Sequence, residues 1–187
     1  MSADDFLSAS PAQVRAIVGN IREEKQRGVR RKPSSSLQDH STLLNPTLRT
    51  ELLDKVASMV DENLCGRSEM CIQFANLLAM ALRELGLPAK EVMGKAFYYV
   101  NGRKIFDWNH VWVRIGEEVI DGNVDSLDEN PFVPKEVVIR PYWGPIEQTP
   151  PDRKLRADIG APTPADTDVE NIWWPELKIW LQARNNT

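Results

Sequence analysis

Cys71, His110 and Asp121 are the residues of this chain best suited to chemistry on a carbonyl. Cys71 follows a break at Cys65-Gly66-Arg67-Ser68 and opens the most apolar stretch of the sequence. A thiol is a weak nucleophile until it ionises. The unpaired N–H groups and positive end of a helix N-terminus favour the thiolate, and a nearby imidazolium adds to that. The same N–H groups can stabilise an oxyanion on an attacked carbonyl. The position therefore suits acyl transfer through a thioester. Cys65 has no comparable company and reads as a loop thiol. Cys65, Cys71, His110 and Asp121 contain no closely spaced Cys-x-x-Cys or His-x-x-x-His pair, so no metal site is expected. The chemistry calls for no cofactor.

His110 and Asp121 are linked by parity. In His110-Val-Trp-Val-Arg-Ile115 the apolar residues alternate, so Val111, Val113 and Ile115 share one face and His110, Trp112 and Arg114 the other. Gly116-Glu117 turns the chain, and Val119-Ile120 resumes a strand. With an even-length turn, opposed residues have numbers summing to an odd value, and Asp121 falls on the face of His110. Neighbours on one face are about 5–8 Å apart, within reach of a carboxylate for an imidazole. Such a carboxylate fixes the tautomer and stabilises the cation. An odd turn would put Asp121 on the other face, and Asp125 has the same parity one pleat further on. Trp108 and Trp112 flank His110 and are expected either to pack or, with Asp125, to line a substrate cleft.

These residues need elements to hold them. Ser10-Pro11 reads as an N-cap and first helical residue, with Val14, Ile17, Val18 and Ile21 in helical spacing over 11 to 26. Residues 27 to 44 read as a basic, then Ser-rich linker. Asn45-Pro46 repeats the start signal for a helix over about 46 to 63. Ser68 is expected to cap a helix over about 69 to 85 that is apolar nearly all round, hence buried on most sides. Gly86 ends it and Pro88 prevents continuation. Asn101-Gly102 predicts a hairpin. Helices followed by adjacent strands predict an α+β fold, a central buried helix on a small antiparallel sheet, with additional N-terminal helices. After Asp125 the chain is Pro-rich and is expected to wrap the surface as extended coil, anchored by Trp143 or Phe132. Asn171 to Gln182 reads as a short terminal helix with Pro175 inside it. The expected organisation is an N-terminal helix and linker (1–44), a catalytic core (45–140) and a Pro-rich extension (141–187).

The stretch Cys71-Ile-Gln-Phe-Ala75-Asn-Leu-Leu-Ala-Met-Ala-Leu-Arg83-Glu-Leu-Gly86-Leu-Pro88-Ala89-Lys90-Glu-Val-Met-Gly94 resembles the core motif of transglutaminase-like cysteine enzymes, which are related to papain. His110-Val-Trp112-Val is similar to that family's His strand, and Val119-Ile120-Asp121 to its Asp strand. The resemblance covers roughly residues 64 to 125. It implies a transglutaminase-like, papain-like core with a Cys71-His110-Asp121 triad, and action on amide bonds of peptides or protein side chains as a protease, deamidase or transglutaminase. Where the family often has Pro-Thr after the Asp, this chain has Gly122-Asn123, so Asp125 stays open as the third member. A binding module that keeps the fold without turnover, and a thioester-dependent amine acyltransferase, are the alternatives.

Composition narrows the partners. The 187 residues carry 23 Lys+Arg against 27 Asp+Glu, a net charge of -4, which offers no general basic face for nucleic acid. The expected partner is a peptide or protein substrate. No apolar run is long enough to span a membrane, and the opening Met-Ser-Ala-Asp-Asp is no secretory signal, so a cytoplasmic setting is expected.

Overall fold

The computed structural model describes residues 10–13, 15, 16, 19, 31–63, 67, 69–130, 132–158, 160, 161 and 166–185. Cys65, Ser68 and most of the basic run at 25–32 lie outside them. Residues 11–13, 15, 16 and 19 are helical. Ser10 Oγ accepts from the Gln13 N–H at 3.3 Å, and Gln13 Oε1 accepts from the Ser10 N–H at 2.7 Å, a reciprocal cap.

Helix α1 spans Pro46–Asn63 and α2 spans Cys71–Glu84. Asn45 Oδ1 accepts from the Thr47 N–H at 2.8 Å, so Asn45-Pro46 starts α1 as its sequence dictates. Leu52, Leu53, Val56, Met59 and Val60 are its buried stripe. Helix α2 buries Phe74, Leu77, Leu78 and Leu82, with Ala at 75, 79 and 81. Gly86 ends it at φ +82, with Gly86 N–H on Arg83 O at 3.0 Å and Leu87 N–H on Leu82 O at 2.9 Å. That pair of bonds satisfies two terminal carbonyls, and the left-handed backbone it needs favours glycine.

The strands are β1 Gln38–Asp39, β2 Lys90–Val100, β3 Arg103–Ile115, β4 Glu118–Asp121, β5 Tyr142–Pro145 and β6 Arg153–Ala157. Asn101 and Gly102, both at positive φ, turn β2 into β3. Gly116-Glu117 turns β3 into β4, with Val113 opposite Ile120 and Ile115 opposite Glu118. The sheet order is β1-β5-β4-β3-β2-β6. It is larger than the small antiparallel sheet expected and is mixed, because β1 lies parallel to β5.

The Pro-rich region corrects a second expectation. Rather than wrapping as coil, it supplies β5 and β6, and Trp143 is fully buried within β5. Each strand is too short and too irregular in pattern to be recognised without its neighbours. A π-helical turn, Val169–Trp173, leads into α3, Trp174–Asn185. Pro175 falls in the first turn of α3, where its missing N–H breaks no helical bond. Val169, Trp173, Leu177 and Leu181 enter the main core, and Trp174 and Trp180 pack half-buried against it.

One face of the sheet, bearing Met93, Val111, Val113, Ile115 and Ile120, packs on the helices. On the other face Ala96, Tyr98 and Phe106 are covered by Val124, Leu127, Val133, Val137 and Ile139. One sheet thus draws strands from all three expected segments of the chain. Among the described residues no helix is long and apolar enough to cross a membrane.

Candidate active site

Cys71 is the first residue of α2, two positions later than the expected start. The N-cap is Met70, which provides no side-chain cap. The first helical bond runs from Phe74 N–H to Met70 O at 3.0 Å, so the N–H groups of Cys71, Ile72 and Gln73 precede it. An uncapped end leaves these donors for a negative charge.

Strand β4 pairs with β3 only from Val113 to Ile115. The edge of β3 before Val113 is therefore open on that side, and the start of α2 comes against it. The Val111 and Ile72 N–H groups lie close enough to the Cys71 sulfur to favour its thiolate. His110, one residue earlier, stands beside the thiol.

His110 is buried, with Nε2 2.8 Å from Asp121 Oδ1. Its Nδ1 is enclosed and has no well-aligned partner, although ring and thiol are close enough to shift each other's ionisation. The turn has the even length that puts Asp121 on the face of His110. Asp121 Oδ2 in turn accepts from Arg153 Nη1 at 2.8 Å. Arg153 comes from β6, is buried, and is itself held by Asp152 Oδ1 at 2.9 Å and by the Arg140 carbonyl.

Asp125 stands elsewhere. It lies in the 3-10 turn Val124–Glu129, where Arg67 grips both its oxygens at 2.9 and 2.8 Å. Trp112 is buried against Val119 and Tyr142, its ring 6.1 Å from that of His110. Trp108 is half-buried against Phe106, and its Nε1 is enclosed without a partner, as is the Tyr98 hydroxyl. Tyr98, Trp108 and His110 share one face of the β2–β3 hairpin by register.

Sequence reasoning missed Arg153. It lies 32 residues beyond Asp121, among prolines, with no local signal of its role. Arg67 was equally silent, since an arginine in a loop is ordinarily solvated.

The charges favour a reactive thiol. Burial opposes ionisation of Cys71, but the adjoining His110 ring and its charge, with the nearby Val111 and Ile72 N–H groups, outweigh it and lower the pKa. Burial likewise opposes protonation of His110, but Asp121 and the sulfur outweigh it and push the ring up to about 10. Asp121 is held below the ordinary carboxylate range: burial works against this, and His110 and Arg153 prevail. An acidic thiol beside a basic ring favours the thiolate–imidazolium pair.

Residues 48–123 match the model of the transglutaminase-like superfamily, a span that adds α1 to the stretch recognised in the sequence. A crystal structure described as a genomics target matches over 73% of this chain and 75% of its own, with 14% identity and a TM-score of 0.50, a likeness of fold. No curated protein matches the chain. Through residues 48–123, the chain is similar to the transglutaminase-like superfamily.

Proposed function

We propose that the protein is a cysteine-dependent acyl hydrolase or acyltransferase acting on amide bonds of peptides or protein side chains, with Cys71, His110 and Asp121 as its catalytic residues. The observation that carries this reading is the arrangement of one imidazole. His110 Nε2 is fixed on Asp121 at 2.8 Å while its free Nδ1 adjoins a thiol at an uncapped helix start.

The reaction follows from those positions. The Cys71 thiolate adds to the amide carbon, and the carbonyl oxygen takes the negative charge beside the N–H groups that open α2. The tetrahedral adduct collapses to a thioester as the C–N bond breaks, and the leaving amine takes the proton from His110 Nδ1. Water, or an amine, then gives its proton to Nδ1 and attacks the thioester, returning the thiol. Water gives hydrolysis; an amine gives transfer. Asp121 keeps Nε2 protonated and the ring in register throughout. Trp108, partly exposed next to His110, is the residue best placed to meet substrate.

The test is alkylation of Cys71 by iodoacetamide across pH 4 to 9, read by intact mass. Wild type labels fast below pH 7, because the thiol pKa is lowered and the ring pKa raised. His110→Ala labels only as pH approaches the free-thiol value of about 8.5, and Cys71→Ala does not label at the site. A wild-type profile rising only near that value, indifferent to His110, marks an inert thiol and a binding module.

A further inference from the structure

Strands β2 and β3 run on past the start of α2. Cys71 meets β3 at Val111, whereas the hairpin continues through Asn109 and Lys95 to its turn at Asn101-Gly102. The helices pack on Met93, Val111 and Val113, and their core takes in neither Phe97 nor Tyr99 further along the same face. That end of the face carries Lys95, Phe97, Tyr99, Lys104, Lys154 and Arg156, as the pairings Tyr99–Lys104, Phe97–Lys154 and Lys95–Arg156 dictate.

The face is cationic and aromatic. The Phe97 ring lies 5.7 Å from Lys104 Nζ and 5.3 Å from the Arg156 guanidinium carbon. Asp107 is the one carboxylate among these pairs, and it is shared by Lys95 at 3.0 Å and Lys104 at 2.7 Å. Of the acids flanking β6, Asp152 at the Tyr99 end is engaged by Arg153, and Asp158 lies past the strand at the Met93 end. Lys154 and Arg156 are exposed, and no carboxylate among the described residues pairs with either. A four-cation face on a chain of net charge -4 is a local feature, not a general property of the surface. Strands are about 4.8 Å apart, so Arg156 on β6 lies about 10 Å from β3, within the span of a short bound segment.

We propose that this face binds an acidic segment of the polypeptide substrate next to the bond presented to Cys71. The proposal rests on the reading of Cys71 as an amide-directed nucleophile. Lysine and arginine supply charge, and the Phe97 and Tyr99 rings supply apolar contact to the side-chain stems of the segment. Such attraction speeds encounter and is screened by salt.

The experiment uses the full chain carrying Cys71→Ala and four fluorescein-labelled probes: equally long Glu/Ser, Gln/Ser and Lys/Ser peptides, and a single-stranded oligodeoxynucleotide. Anisotropy shows the Glu/Ser peptide binding tightest, more weakly as salt rises, and about tenfold or more weakly after Lys154→Glu/Arg156→Glu. The milder Lys154→Gln/Arg156→Gln pair gives an intermediate loss. Equal binding of the Glu and Gln peptides, indifference to both double variants, or tighter binding of the oligonucleotide overturns the proposal. Alkylation of Cys71 in the otherwise unaltered chain is read in parallel. Normal low-pH labelling with no acidic preference overturns this proposal alone. An inert thiol with acidic binding intact overturns the enzyme reading instead and leaves an acidic-peptide binding face.

Discussion

At the residue scale the candidate site is a chain of four side chains rather than three. Cys71 adjoins His110, His110 bonds Asp121, and Asp121 bonds Arg153. The last three are buried, so each charge depends on its neighbour for what water would otherwise supply. Arg153 acts as a positioning residue: it fixes the second oxygen of Asp121 and helps keep that carboxylate ionised. Its own positive charge also limits how strongly Asp121 can hold the proton on His110. Arg153→Met strands Asp121 with one partner and is expected to cost about 3–5 kcal/mol in urea unfolding. Asp121→Asn is expected to cost less, because Arg153 keeps Asp152 and the Arg140 carbonyl, and to shift low-pH alkylation of Cys71 upward in pH. The double variant loses less than the sum of the two, because neither charge is then left alone. Simple addition in that cycle would show that the two side chains are not coupled.

At the element scale the site depends on two close approaches. One is the start of α2 against the open edge of β3, left free because β4 pairs only as far as Val113. The other is at Gly94, which pairs with His110 on one side and Ala157 on the other. A Cβ there would lie 2.1 Å from the Arg156 carbonyl oxygen and 2.8 Å from Trp112. Gly94→Ala must push β6 or Trp112 away, and β6 carries Arg153. The expected cost is about 3 kcal/mol or more, with fast low-pH labelling of Cys71 lost as well. Denaturant midpoints together with alkylation rates check this; a stable variant of unchanged reactivity would break the link between β6 and the thiol. Much of this scale was legible in the sequence. Asn45-Pro46, Gly86, Asn101-Gly102 and Gly116-Glu117 set element ends through backbone angles and caps that act within a few residues. The missing cap on α2 was not legible, since it depends on where the chain before Cys71 turns.

At the scale of the whole molecule the C-terminal quarter completes the fold that the central region begins. Strand β5 fills the sheet between β4 and β1, β6 covers the edge of β2, and α3 closes the core through Leu177 and Leu181. Ion pairs from Lys55 to Glu176 at 2.8 Å and from Lys178 to Glu84 at 3.2 Å tie α3 to α1 and α2. A chain ending at Arg140 is expected to show no cooperative unfolding transition by circular dichroism. A sharp transition in that truncated chain would mean that residues 45–140 fold unaided. The sequence by itself determined the helices, the two hairpins and the family resemblance, and it left the shared face of His110 and Asp121 to the length of one turn. All of these rest on periodicity, turn chemistry and spacing within a short reach of chain. Only the tertiary structure put Asp121 against His110 and Asp125 against Arg67. It also decided the place of Arg153, the strands of the Pro-rich segment and the cationic face beside Cys71. Each of those brings together residues distant along the chain, and no local pattern encodes a partner that only folding supplies.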